Sequence, residues 1–192
     1  WLGKWQLETL VFVFGLMAIM TIYVITFPKY KSQDAMLVFT GIFYVAVMLS
    51  YIYKVRVVGD GKYIVWLVFV SSWGNDTFAY FTGVLFGKHK MAPKLSPKKS
   101  VEGAVGGVTG ATLLGIIYGF IISGRMSGIF VHPVWTFAIA SFIGALLSII
   151  GDLAASAIKR NYDIKDYGKL IPGHGGIMDR FDSVIFTAPA VY

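Results

Sequence analysis

Acidic residues beside apolar sequence are the first sign of chemistry in this chain. Asp152 lies inside a long apolar run, and Asp179 and Asp182 stand just before the last apolar run. A carboxylate within a membrane-spanning segment costs about 2.5–3.5 kcal/mol on insertion scales, so it usually faces a cavity or a partner. Mg²⁺ prefers hard oxygen ligands and typically takes one or two carboxylates plus substrate phosphates. The three aspartates therefore favour a Mg²⁺ site near one membrane face.

The spacing of these residues places them on common helix faces. Asp179 and Asp182 are three residues apart, so on a helix they share a face. Four polar residues at helical spacing would form one stripe in the preceding apolar run: Ser148, Asp152, Ser156 and Lys159. Two simpler interpretations remain open. Asp152 could form a structural ion pair with a lysine of a neighbouring helix, and acids at 179 and 182 also suit a helix N-terminus.

Two polar segments supply cations and glycines. Residues 87–100 (GKHKMAPKLSPKKS) are basic and contain no acid, whereas residues 159–180 mix bases with carboxylates. The turn PGHGG at 172–176 allows close backbone approach to a ligand, and successive amides in such a turn can cradle an anion. His174 could donate to phosphate, act as a base or brace the loop. A lone basic segment would indicate contact with anionic lipid headgroups, but the second segment favours a phosphate-bearing substrate.

The elements that must position these residues are membrane-spanning helices. Hydrophobic residues make up 56% of the 192 residues and charged residues 14%, and the mean hydropathy is +0.69. A spanning helix needs about 20 apolar residues. Apolar runs that meet or begin to meet this requirement cover residues 7–27, 35–53, 63–86, 101–122, 134–158 and 183–192. Because the alternation typical of barrel strands is absent, the sequence predicts an all-α, polytopic transmembrane helical bundle.

The fourth run predicts close helix packing. Small residues recur at every fourth position: Gly103, Gly107, Ala111, Gly115 and Gly119. Such a face lets another helix approach closely. The third run differs, because polar residues at 71–76 interrupt it.

Charge and composition indicate orientation and exclude some partners. If every helix crosses, segments 28–34, 87–100 and 159–180 share one side and hold 12 of the 17 basic residues, which predicts that this side is cytoplasmic. The net charge of +7 also suits anionic lipid or nucleotide ligands. The absence of cysteine excludes disulfides and thiolate metal sites. Nucleic acid is a poor candidate, because no basic stretch is interleaved with aromatics.

The strongest signal is the string from Ser156 to Asp182, SAIKRNYDIKDYGKLIPGHGGIMDRFD. It closely resembles the signature of the phosphatidate cytidylyltransferase (CDP-diacylglycerol synthase) family, S-x-[apolar]-K-R-x4-K-D-x-G-x2-[apolar]-P-x-H-G-G-[apolar]-x-D-R-[apolar]-D, with no departure. The segments WGNDTFAYFTG and GKHKMAPKLSPKKSVEG also look like this family, so the resemblance runs from about Trp73 to the end. The first two runs are too generic to test it.

The resemblance implies an activity and a setting. Members transfer CMP from CTP to phosphatidate and release pyrophosphate, with Mg²⁺ and a second, monovalent cation such as K⁺. The resemblance also implies a homodimer in the bacterial inner membrane, in contact with membrane lipid. We expect residues 1–62 to form N-terminal transmembrane helices, and residues 63–192 to form the catalytic region with cytoplasmic loops 87–100 and 159–180. Since the chain starts without Met and stops within an apolar run, we also expect a piece of a longer protein.

The resemblance and the chemistry of the substrates together assign roles to residues. In the family, carboxylates matching Asp152, Asp179 and Asp182 build the metal centre. We assign phosphate charge and catalysis to Lys159, Arg160 and Arg180, together with Asp179. Asn75 and Asp76 are expected to break the third helix and line the same cavity, for the cytidine or for the outer shell of the metal. The remaining substrate-binding candidates are Lys94, Ser96, Lys98, Lys99, Ser156 and His174.

Other functions remain possible at this point. A CTP-using polyprenol kinase would also join a nucleotide to a lipid acceptor, but would transfer a terminal phosphoryl group, and the complete signature favours the cytidylyltransferase. An ion-coupled transporter would place Asp76 and Asp152 at midplane sites, yet the internal repeats frequent in transporters are absent. The Asp-x-x-Asp-Gly-x-x-Ala-Arg motif of CDP-alcohol phosphotransferases is also absent.

Overall fold

The computed structural model describes residues 4–126, 130–168 and 175–192. The chain divides into two compact units, Trp1–Val47 and Met48–Tyr192. In the first unit, helix α1 (Lys4–Ile25) is followed by α2 (Ser32–Gly41) and a π-helical segment (Ile42–Val47). Asp34 accepts a hydrogen bond from the Lys31 amide (2.8 Å) and so caps the start of α2.

The second unit is a helical bundle with a short hairpin. Its elements are α3 (Met48–Val57), α4 (Gly61–Phe86), strands β1 (Lys90–Ala92) and β2 (Ser96–Ser100), α5 (Val101–Ser123), α6 (Pro133–Asn161) and α7 (Met178–Val191). Helix α4 packs against α5, α6 and α7, and α6 also packs against α5 and α7. The buried core includes Leu67, Val68, Phe137, Val184 and Ile185. This bundle carries the site, because the predicted site residues within the described ranges all lie in it.

The predicted all-α membrane fold is confirmed. Within the described residues, helical stretches Ser32–Val57, Val101–Ser123 and Pro133–Asn161 are long and apolar enough to cross a membrane. Many large apolar side chains outside the core are exposed, among them Phe120 and Trp135. A protein in water would not leave so much apolar surface uncovered, so the chain is a membrane protein.

The expected break in the third helix is wrong. Helix α4 runs without interruption from Gly61 to Phe86, through Asn75 and Asp76. Hydroxyl groups from neighbouring helices form hydrogen bonds with both side chains: the Asn75 amide nitrogen donates to Ser148 (3.4 Å), and Ser183 donates to Asp76 (3.0 Å). Polar residues inside an apolar helix therefore need not interrupt it when other helices provide hydrogen-bond partners.

Segment 87–100, expected to be a loop, contains a two-stranded antiparallel sheet. Lys90 pairs with Ser100 and Ala92 pairs with Ser96, with an irregularity in register between them. The Ser100 hydroxyl accepts from the Gly103 amide (3.1 Å), so the end of β2 is also the N-cap of α5. The basic side chains of this segment are thus carried on a folded hairpin that joins α4 to α5.

The small-residue face of α5 is confirmed as a packing surface. Gly103, Gly107, Ala111, Gly115 and Gly119 are all buried. A Cβ atom at Gly107 would lie 2.8 Å from the Asn75 carbonyl oxygen on α4, and one at Gly119 would lie 3.0 Å from Val134 Cα on α6. Helix α5 therefore approaches both neighbours along backbone surfaces that tolerate no side chain.

We expect Gly107→Ala to lower the free energy of unfolding by about 1–3 kcal/mol, because the added methyl group overpacks the contact between α5 and α4. Denaturation with sodium dodecyl sulfate in mixed micelles would measure this. The control is Gly124→Ala at the end of α5, where a Cβ meets nothing within 4 Å, and where we expect a change below about 0.5 kcal/mol. Equal stabilities for the two variants would contradict the proposed packing.

Candidate active site

A cavity of about 490 Å³ lies between α4, the hairpin, the start of α5 and α6. Asn75 and Asp76 line it from α4, and Asp152 lines it from α6. The hairpin side of the cavity is basic and polar, with contributions from Lys90, Ser96, Lys98 and Lys99. Lysines of the hairpin and carboxylates of α4 and α6 thus line one cavity. Such a lining suits a phosphate-bearing ligand that binds together with a metal ion.

Lys159 links the end of α6 to two carboxylates on α7. Its ammonium donates to Asp179 Oδ1 at 3.0 Å and lies 3.7 Å from Asp182 Oδ2. The Asp179 side chain is 5% exposed and that of Lys159 is 12% exposed. The spacing of Asp179 and Asp182 predicted a shared face, and both carboxylates do meet the same ammonium.

Asp179 also organises the loop before α7. Its Oδ2 accepts hydrogen bonds from the backbone amides of Tyr167 and Gly176, both at 2.9 Å. Gly175 has φ +82, a conformation that favours glycine. Burial alone would raise the pKa of Asp179, but hydrogen bonds from Gly176 and Lys159 outweigh it and hold the pKa below its usual value. The carboxylate is therefore held ionised.

Asp152 has a separate cationic partner. Its carboxylate forms an ion pair with Lys99 of the hairpin, and Ser156 donates to it at 3.5 Å. Asp76 of α4 and Asp152 of α6 line the same cavity, and Ser183 of α7 donates to Asp76, so α4, α6 and α7 meet at a group of acidic residues. The polar stripe predicted in the fifth apolar run, residues 134–158, is the α6 side of this group.

Donor chemistry in this region suits a hard cation. Carboxylates and serine hydroxyls supply oxygen atoms, and lysine ammonium groups already lie beside Asp152, Asp179 and Asp182. Across the described ranges, however, no three acidic or histidine side chains converge closely enough to ligate one ion. Since Mg²⁺ typically takes one or two carboxylates plus substrate phosphates, a partial set of protein ligands is compatible with such an ion.

Other predicted site residues are exposed or lie outside the described residues. Lys98 is exposed at the rim of the cavity, whereas Lys94 lies in the turn of the hairpin, also exposed. The Arg160 and Arg180 side chains are exposed near the loop between α6 and α7. His174 lies outside the described residues.

The structure adds residues that sequence reasoning did not select. The Ser183 hydroxyl joins α7 to Asp76, and Tyr167 contributes both its amide to Asp179 and its ring, 5.2 Å from the Lys159 ammonium. Ser183 directly follows Asp182, which was a usable signal. Tyr167 gave none, because its position in the signature accepts any residue.

Comparison with known proteins shows which sequences this chain resembles. The cytidylyltransferase family matches residues 1–192. A phosphatidate cytidylyltransferase of Staphylococcus haemolyticus is 32% identical over 189 residues, covering 98% of this chain and 69% of that protein. That of Staphylococcus saprophyticus is 33% identical over 195 residues, with the same coverage.

A third relative matches a shorter part of the chain. The phosphatidate cytidylyltransferase of Thermotoga maritima is 35% identical over 126 residues, which cover 66% of this chain and 46% of that protein. The match of the family to the whole chain and the extent of the staphylococcal similarities lead to one conclusion. This chain belongs to the cytidylyltransferase family.

Proposed function

We propose that this membrane protein is a phosphatidate cytidylyltransferase, a CTP-dependent enzyme of phospholipid synthesis that makes CDP-diacylglycerol and pyrophosphate. The observation that carries the proposal is the cavity, where Lys90, Lys98 and Lys99 face Asp76 and Asp152. The relatives named above supply the identity of the substrates. A volume of about 490 Å³ lies in the range of sites for small organic ligands.

The reaction needs charge management more than a strong base. A phosphate oxygen of phosphatidate, already anionic, attacks the α-phosphorus of CTP, and the bond from that phosphorus to the bridging oxygen of pyrophosphate breaks. Two anions must therefore be brought together, and positioning with electrostatic stabilisation supplies most of the catalysis in such transfers. The hairpin lysines, with Ser96, hold the triphosphate. Positive charge for the phosphates also comes from the end of α6 and the start of α7, through Lys159, Arg160 and Arg180. The acyl chains stay in lipid.

The proposed metal ligands are Asp152, Asp179 and Asp182. Enzymes of this family generally use a divalent metal ion, and we assign it as Mg²⁺, with a monovalent cation such as K⁺ beside it. When bound, the divalent ion neutralises charge on the reacting phosphates. Lys99 pairs with Asp152, Lys159 pairs with Asp179 and lies near Asp182, and Asn75 and Asp76 line the same cavity as Asp152.

The proposed setting follows from charge distribution. The basic hairpin contacts Asp152 through Lys99, and the loop between α6 and α7 donates amides to Asp179, so both lie beside proposed metal ligands. Since Lys and Arg are enriched on the cytoplasmic side, we place this end of the bundle in the cytoplasm of a bacterium and the bundle in its inner membrane. CTP is then available from the cytoplasm and phosphatidate from the surrounding lipid. A homodimer is also part of the proposal, on the resemblance alone.

The direct test supplies purified protein with labelled CTP and phosphatidate in mixed micelles, with and without Mg²⁺, and separates the lipid products. We expect CDP-diacylglycerol and pyrophosphate from CTP or dCTP, only with the metal ion, and no ADP-diacylglycerol from ATP. Equal use of ATP would refute the cytidylyltransferase assignment. Labelled lipid phosphate from γ-labelled CTP would indicate a kinase instead.

We expect Asp179→Asn and Asp152→Asn to remove nearly all turnover while the proteins still insert and purify normally. Asparagine keeps the size of aspartate but is a neutral and weaker ligand for Mg²⁺. Initial rates measured over a range of Mg²⁺ concentrations should show only partial rescue of Asp152→Asn.

The matched control is Asp163→Asn, since Asp163 is exposed and has φ 52, which asparagine also tolerates. We expect this variant to retain normal turnover. Thermal unfolding in detergent separates catalysis from stability. A folded Asp179→Asn protein with near-normal synthesis would rule out the proposed metal site, whereas loss of stability with retained specific activity would indicate a structural ion pair.

A further inference from the structure

Glu102 connects the two ends of the hairpin. It lies in the first turn of α5, directly after β2, and its carboxylate reaches back to the chain that leaves α4. Oε2 accepts from the Lys88 amide at 3.1 Å, and both oxygens accept from the His89 amide at 3.2 Å. The His89 ring contacts Oε1 through Nδ1 at 2.6 Å. Because an ionised carboxylate only accepts, Nδ1 carries the proton.

Neighbouring hydrogen bonds continue from Glu102 across the end of the hairpin where the chain leaves α4 and enters α5. The Val101 amide donates to the His89 carbonyl (2.9 Å), and Lys90 pairs with Ser100. Ser100 in turn caps α5. The carboxylate thus attaches the start of the hairpin to the first turn of α5, which directly follows the end of the hairpin.

The hairpin needs such an anchor. Its strands have only 3 and 5 residues, and an isolated two-stranded hairpin is at best marginally stable in water. Lys98 and Lys99 lie on β2, so the place of both ammonium groups at the cavity depends on the hairpin holding its position. Lys99 also pairs with Asp152, so displacement of the hairpin would separate Asp152 from this cation.

We propose that Glu102 is a positioning residue that holds the hairpin over the cavity, so that Lys98 and Lys99 meet the triphosphate of CTP. The proposal rests on the proposed function for the identity of the nucleotide. It differs from a simple helix-end charge effect, which depends on the negative charge of the side chain. A clamp instead depends on an acceptor oxygen that reaches the Lys88 and His89 amides, and glutamine supplies one.

Hydrogen–deuterium exchange on purified protein in detergent tests the clamp without any substrate. In Glu102→Ala we expect amides of residues 88–100 to exchange at least about tenfold faster, because local opening becomes easier. Glu102→Gln should stay within about threefold of wild type. Thr109→Ala, which removes an exposed bond within α5 to the Val105 carbonyl, is the control and should leave the hairpin unchanged. Unchanged exchange in Glu102→Ala, or equal acceleration in Glu102→Gln, would overturn the clamp.

Steady-state kinetics test what the clamp is for. We expect Glu102→Ala to raise the KM for CTP by about tenfold while the KM for phosphatidate stays within about twofold, the pattern of lost nucleotide binding. Lys98→Ala should raise the KM for CTP to a similar extent. The Glu102→Gln variant should have a KM for CTP close to that of wild type. Faster exchange with an unchanged KM for CTP would overturn the positioning role. A wild-type protein without cytidylyltransferase activity would refute the proposed function, while the exchange data would still decide the clamp.

Discussion

This structure depends on one constraint: carboxylates inside an apolar bundle must have cationic partners. Asp76, Asp152, Asp179 and Asp182 come from three helices of the bundle. Carboxylates in such surroundings need partners. Lys99 reaches Asp152 from the hairpin, and Lys159 reaches Asp179 and Asp182 from α6. The hairpin, the end of α6 and the start of α7 therefore meet at one place.

The lysines that pair with these carboxylates also explain why the arrangement suits two anionic substrates. A site that transfers CMP from CTP to a lipid phosphate must supply positive charge and must also stay open to the membrane. The cations at this site are carried on different elements, Lys98 and Lys99 on the hairpin and Lys159 on α6. Each can therefore face a different phosphate group, while close glycine packing of α5 keeps the helices in place. Positioning of this kind is the main source of rate in phosphoryl-type transfers.

Sequence reasoning predicted the helices well, because long apolar runs can satisfy their backbone in lipid only as helices or barrels. It also predicted the α6 stripe and the shared face of Asp179 and Asp182, since both follow from helical periodicity. It wrongly expected the helix to break at Asn75 and Asp76, because their partners Ser148 and Ser183 are distant in sequence. The hairpin was missed because its strands are short and Pro97 lies within one of them. The assignments of metal and phosphate ligands remain predictions.

The central claim is that the carboxylates now paired with lysines also hold a divalent cation. Electron paramagnetic resonance of Mn²⁺, titrated into detergent-purified protein, measures this without turnover. The account predicts saturable binding that CTP strengthens, because phosphate oxygens complete the coordination. Asp179→Asn and Asp152→Asn should each weaken it by at least about tenfold, the effect of losing a direct ligand, which corresponds to about 1.4 kcal/mol. Equal Mn²⁺ affinity in wild type and both variants would contradict the account.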